Sequence, residues 1–129
     1  MKKLVTLIVD DSSVIIKRFT EILGDMDNVK TVLHAHNYHE GSRLLEKIKP
    51  HVVLLDINLP EINGIDLAKV IRQSRRELSL PIVFVSTESD PHLQLEARVQ
   101  GGDDFIHKPI DGKTLVSLVT LRARRAMAL

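Results

Sequence analysis

Three short apolar runs in this sequence stop abruptly at polar residues: Leu4 to Val9 before Asp10-Asp11, Val52 to Leu55 before Asp56, and Ile82 to Val85 before Ser86-Thr87. A strand with one wet face alternates apolar and polar residues. These runs do not, so each needs cover on both faces, as in a parallel sheet packed between helices. Two weaker strand candidates, Lys30 to Ala35 and Asp103 to His107, bring the number to five. Between the strands lie segments of helical spacing. Ile15, Ile16, Phe19, Ile22 and Leu23 follow an Asp11 or Ser12 cap and end at Gly24. Leu44, Leu45 and Ile48 precede Pro50; Leu67, Val70 and Ile71 follow Gly64; Leu95 and Val99 follow Pro91; Leu115, Leu118, Val119 and Leu121 follow Gly112. Regular alternation of strand and helix predicts a doubly wound, five-stranded parallel α/β sheet with right-handed crossovers.

In such a sheet ligands bind beyond the carboxyl ends of the strands. Asp10, Asp11, Asp56 and Ser86 stand at three of those ends, and Lys108 closes the fifth run. They are therefore expected to converge. Three carboxylates brought together repel one another unless a cation lies among them, and a hard divalent ion with oxygen ligands suits them; Mg²⁺ is the natural choice. A carboxylate can also attack phosphorus to give an acyl phosphate, and Asp56, alone at the end of a central run, is the best placed to do so. The Lys108 ammonium, the Ser86 hydroxyl and Mg²⁺ are suitable groups for the phosphoryl oxygens.

The ordered marks Val9-Asp10-Asp11-Ser12, Leu54-Leu55-Asp56, Leu59-Pro60-Glu61-Ile62-Asn63-Gly64, Pro81 to Ser86, Gly101-Gly102-Asp103-Asp104-Phe105-Ile106 and Lys108-Pro109 resemble the receiver domains of two-component response regulators. The resemblance runs from about Lys3 to Leu121 and implies strand order 2-1-3-4-5 over one domain, residues 1–129. It implies that Asp56 accepts phosphate from a phosphohistidine on a sensor histidine kinase or a histidine phosphotransfer protein. Mg²⁺ would be held by the Asp11 and Asp56 side chains and the Asn58 backbone carbonyl, with Asp10 acting mainly through water. Ser86 would be the switch hydroxyl, Phe105 the ring that turns inward with it, and Lys108 the partner of the phosphoryl group. The Lys108–Pro109 bond is expected to be cis. Asn58 and Glu88 would flank the water that hydrolyses the phosphate, and Thr87, standing where a small residue is usual, would gate access. The readout is expected on the face of the fourth helix, fifth strand and fifth helix. It would be read by an effector or an output domain, with a homodimer on phosphorylation left open. Tyr38, Gly41 and Ser42 depart from the family pattern, which leaves the second helix the least secure.

The remaining features have plainer readings. With 18 basic and 17 acidic residues the formal charge is +1, so nothing global points to nucleic acid or an anionic membrane. There is no cysteine, and Leu4 to Val9 is too short for a signal core or a membrane span; a cytoplasmic setting is expected. His34, His36 and His39 lack an evident carboxylate or thiol partner for a metal site. Gly101 to Phe105 is one residue from a diguanylate cyclase signature but leads straight into Lys108-Pro109. Arg122, Arg124 and Arg125 read as a solvated helix face. Two other functions compete. A phosphatase with an aspartyl-phosphate intermediate would carry Asp-x-Asp at the first strand, where Asp10-Asp11 stands instead. A pseudo-receiver would lack one of the five polar groups, and all five are here.

Overall fold

The computed structural model describes residues 4–74 and 79–127, without the side chains of Lys30 and residues 125–127. Along the chain run β1 (Leu4–Val9), α1 (Ser13–Gly24), β2 (Val29–Ala35), α2 (Tyr38–Lys47), β3 (Val52–Leu55), α3 (Gly64–Gln73), β4 (Ile82–Ser86), α4 (Pro91–Val99), β5 (Asp104–His107) and α5 (Gly112–Met127). The strands form one sheet in the order β2-β1-β3-β4-β5, all neighbours parallel. This is the expected architecture. Among the described residues no helix is long and apolar enough to cross a membrane.

The continuous apolar runs are explained by the two cores they feed. Leu7, Val9, Val53, Leu55, Ile82 and Phe84 point to one face, against Leu67, Ala68 and Ile71 of α3 and Ala97 of α4. Leu4, Ile8, Leu54, Val83 and Val85 point to the other, against Ile16, Phe19 and Leu23 of α1 and Leu115 and Val119 of α5. Each strand is thus apolar on both sides, as the period-two geometry of a buried strand requires.

Side-chain caps start the helices. Ser12 accepts from the Ile15 amide, Asn63 from Asp66, Asp90 from His92 and Asp111 from Thr114. The second helix, despite its departures, is capped in both directions: Asn37 Oδ1 accepts from the Glu40 amide at 2.9 Å and its Nδ2 donates to the Glu40 carboxylate at 3.0 Å. Gly41 is buried where a Cβ would stand 3.1 Å from Leu67 and 3.4 Å from Val9, so the glycine lets α2 approach the sheet.

Helical spacing alone leaves open which side of a helix meets the sheet. Leu95 and Val99 do share a face of α4, but it is the outer one: they are 61% and 70% exposed, while Ala97 is buried and Leu93 packs against the core. Leu121 is likewise 61% exposed, and α5 buries Leu115, Val119 and Ala123. Arg122 is not simply solvated. It donates to both Asp104 oxygens, at 2.6 and 2.9 Å, and this bidentate bond raises its pKa further. Arg124 is exposed, and the Arg125 side chain lies outside the described residues.

The cyclase-like segment is a brace for β5. The Asp103 carboxylate accepts from the Ile82 amide at 2.8 Å and from Arg72 at 3.1 Å. Arg72 also donates to the Leu80 and Gly101 carbonyls, at 2.6 Å each. From the opposite side of the sheet Arg122 holds Asp104. Losing the Arg72 guanidinium strands two half-buried carbonyls and a carboxylate, so Arg72→Ala is expected to cost about 2–4 kcal/mol. Urea unfolding would read this, and an unshifted midpoint would show that the brace carries no stability.

Candidate functional site

The chemistry lies where the strands end. The Asp10 amide donates to Ala35 and the Asp56 amide to Val9, both at 3.0 Å, continuing the ladders of β1 and β3 and bringing the two carboxylates side by side. The Lys108 amide donates to Ser86 at 3.0 Å and carries β5 forward in the same way. The result is a cleft of about 490 Å³ whose lining includes Asp10, Asp11, Asp56, Asn58, Thr87 and Lys108. Asp10 and Asp56 are buried, and Asp11 is exposed at the rim. One oxygen from each lies within 4.8 Å of the others. It is the one gathering of metal-ligating side chains among the described residues. A second cavity, about 510 Å³ between α2 and α3, is lined by Leu45, Leu67, Val70 and Ile71 and gathers no such cluster.

The two buried carboxylates are held alike. Asp10 gives one oxygen to Lys108 Nζ at 2.5 Å and the other to the Ser12 amide at 2.9 Å. Asp56 gives one to Lys108 Nζ at 2.9 Å and the other to the Asn58 amide at 3.1 Å. Burial disfavours the Lys108 charge, but its bonds to both carboxylates outweigh that and hold its pKa above the ordinary lysine value. Burial raises the Asp10 pKa, and Lys108 and the Ser12 amide offset this only in part. The one ammonium gains from bonds to both carboxylates, while the burial of Asp10 outweighs what its own bonds return.

That imbalance is the test of fit for a divalent cation. Three carboxylates face one ammonium, the donors are hard oxygens, and Asp11 leaves one side open to water, as Mg²⁺ prefers. Asp10, Asp11 and Asp56 fit the ion.

Ser86 and Phe105, the expected switch pair, stand nearby. Ser86 is fully buried, and its hydroxyl accepts from the Glu88 amide at 3.2 Å and from Asn58 Nδ2 at 3.5 Å. Phe105 is half-buried, stacked on Phe84 with centroids 6.3 Å apart and set edgewise against His107 at 5.3 Å. The Lys108–Pro109 bond is cis, as expected. Asn58 and Thr87 line the cleft, and Glu88 follows directly after Thr87. Its carboxylate accepts from the Ser89 and Asp90 amides at 3.1 Å, satisfying the free donors ahead of α4. The histidines are also corrected: His36 pairs with Glu40 at 3.3 Å and His39 with Glu61 at 4.0 Å. These are separate, exposed pairs. Sequence reasoning missed Arg18, which lines the cleft and donates to the Ile110 carbonyl at 2.7 Å.

Known proteins share the sequence pattern and the fold. Residues 6–120 match the family model described as the response regulator receiver domain. The chain is 31% identical to the PilH protein of Pseudomonas aeruginosa over 88% of its own length and 92% of that protein's. It is 39% identical to a protein-glutamate methylesterase/protein-glutamine glutaminase of Rhodospirillum rubrum over 92% of its length, but spans 31% of that enzyme. It spans 12–32% of the other, longer curated relatives. The crystal structure of a CheY-like receiver domain protein from Methanospirillum hungatei superposes with a TM-score of 0.89 at 22% identity, covering 98% of both chains. With strand order, acidic cleft and family match in agreement, the chain belongs to the response regulator receiver domains, the phosphoacceptor modules of two-component signalling.

Proposed function

We propose that Asp56 is the phosphoacceptor and that the chain is a Mg²⁺-dependent switch rather than an enzyme acting on other substrates. The observation that carries this is the meeting of the Asp10, Asp11 and Asp56 oxygens within 4.8 Å, with Lys108 Nζ bonded to Asp10 and Asp56. In the transfer an Asp56 carboxylate oxygen forms its bond to phosphorus as the phosphorus–nitrogen bond of a phosphohistidine breaks. The electron pair goes to the imidazole, which takes up a proton. Mg²⁺, held by Asp10, Asp11, Asp56 and the Asn58 carbonyl, neutralises charge on the phosphoryl oxygens when bound. Lys108 moves its bond from carboxylate to phosphoryl oxygen. The Ser86 hydroxyl then leaves Asn58 and the Glu88 amide for another phosphoryl oxygen, and Phe105 shifts into the space it vacates.

The donor is a sensor histidine kinase or histidine phosphotransfer protein, and the reader an effector or an output domain. Leu95 and Val99 on α4 and Leu121 on α5 are exposed apolar residues on the two helices flanking β5, which supports that face as the readout. Phosphorylation-dependent pairing of two copies would use the same face. With a formal charge of +1 the domain itself is not read as a nucleic-acid binder, and a cytoplasmic setting suits the assignment.

Titration with Mg²⁺ and beryllium fluoride, followed by amide NMR, tests the reading. Shifts are expected around Asp56 and extending to Ser86 and Phe105, and none in Asp56→Asn; shifts centred elsewhere would refute it. The lifetime of the phosphate is tuned in the same cleft. Asn58→Arg is expected to slow its loss about tenfold or more by blocking in-line water, and Glu88→Tyr far less, because Glu88 is turned toward the α4 amides. Decay of phosphate after donor removal would measure both, and an equal effect of the two changes would contradict this division.

A further inference from the structure

The segment that presents the Lys108 ammonium is short and poor in hydrogen-bond donors, since Pro109 has no N–H. It is fastened at both ends. On the strand side the Lys108 amide donates to the Ser86 carbonyl. On the helix side the Ile110 carbonyl accepts from Arg18 Nη2 at 2.7 Å, a bond between residues 92 positions apart that ties α1 to the loop before α5. The Ile110 side chain is buried in the core that α1 and α5 share, so the carbonyl is anchored by packing as well. Arg18 lines the same cleft as Asp10, Asp56 and Lys108, yet its guanidinium donates to the backbone carbonyl two residues beyond the lysine.

A lysine has a flexible four-carbon stem, and its ammonium stands where the backbone beneath it allows. The planar, multi-donor guanidinium of an arginine is suited to fixing one carbonyl without being drawn into the acidic cluster. We infer that Arg18 is a positioning residue for Lys108: by holding the Ile110 carbonyl it sets where the ammonium stands over Asp10 and Asp56, and so how tightly the cleft takes a phosphoryl group. The inference rests on Asp56 as the acceptor. Without the guanidinium the turn relaxes, and a displacement near 1 Å at a site of this kind is worth about ten- to a hundredfold.

The test is a double-mutant cycle with Mg²⁺ and beryllium fluoride as probes, read by amide NMR on the whole chain. Arg18→Ala is expected to weaken beryllium fluoride binding about tenfold, with Mg²⁺ affinity in the absence of fluoride unchanged, since the carboxylates stay in place. Arg18→Lys should recover part of the loss. In a Lys108→Ala background, Arg18→Ala should add almost nothing, because the group it positions is gone. Full additivity, an unchanged beryllium fluoride affinity, or an equal loss of Mg²⁺ affinity would each overturn the inference, the last pointing to a general structural role. If Arg18→Ala does not fold, Arg18→Lys and Arg18→Gln are run through the same cycle and judged by the same criteria. A wild-type chain that binds beryllium fluoride away from Asp56, or not at all, overturns the acceptor assignment and this inference together; normal wild-type binding with an additive cycle overturns this inference alone.

Discussion

Replacing Gly64 by alanine is expected to slow phosphoryl acceptance by about a hundredfold although no chemical group of the cleft is altered. The first residue of α3 lies against the end of β3 so closely that a Cβ would stand 1.9 Å from the Asp56 carbonyl oxygen, 2.8 Å from its carbon and 3.2 Å from the Ile57 Cα. All three are backbone atoms and cannot rotate aside. The Gly64 amide also donates to the Ile57 carbonyl at 2.8 Å, so the helix cannot withdraw without losing the bond that locates it beside the residue after Asp56. Either the helix or the end of β3 must move, and stability should fall by about 3 kcal/mol or more. Phosphorylation by a small phosphodonor, measured beside thermal unfolding, gives both quantities. A Gly64→Ala chain that accepts phosphate at the wild-type rate would mean that the position of Asp56 tolerates far more displacement than this packing implies.

Lys108→Ala should have the second large effect, first on stability. The ammonium is bonded to two buried carboxylates, and removing it leaves both without a counter-charge, a loss of about 3–5 kcal/mol for a buried pair. The sign of the pH dependence follows from Asp10, whose folded pKa lies above its ordinary value of 3.8 because of burial. A carboxyl raised in this way favours the fold when protonated. That contribution is present below the unfolded value and is lost as pH rises through the folded one. Without Lys108 the Asp10 pKa rises further, so the deficit of the metal-free variant should narrow as pH falls from neutral toward about pH 4. Mg²⁺ replaces part of the missing charge and should stabilise the variant more than the wild type. Denaturant midpoints across pH, with and without Mg²⁺, test these statements. A deficit that is unchanged by both acid and Mg²⁺ would show that lost packing of the lysine stem, not charge, is responsible.

Much of this could be read from the sequence because the central strands are buried on both faces, which makes Val52 to Leu55 and Ile82 to Val85 continuous runs with polar residues marking their ends. Those ends hold the site. Other features were hidden for physical reasons. Helical spacing shows that Leu95 and Val99 share a face but not which face meets the sheet, and the small Ala97 fits there instead. Arg122 looked solvated because its partner, Asp104, belongs to another element. Arg18 and Arg72 bond to the carbonyls of Ile110, Leu80 and Gly101, and a carbonyl leaves no mark on a sequence. Glu88 stands two residues from Ser86, and the bonds of its carboxylate to the Ser89 and Asp90 amides ahead of α4 leave no mark on the sequence. The second helix was in doubt because Tyr38 and Gly41 weaken its pattern; the Asn37 cap and the close approach at Gly41 supply what the pattern lacks.

The most direct test of the central claim is to locate the phosphoryl group by mass. Purified protein incubated with Mg²⁺ and a small phosphodonor is expected to gain one phosphoryl group on the peptide carrying Asp56, with no gain in Asp56→Asn and none when Mg²⁺ is chelated. Undiminished labelling of Asp56→Asn, or a phosphate mapped to any other residue of the wild-type chain, would contradict the assignment of Asp56 as the acceptor.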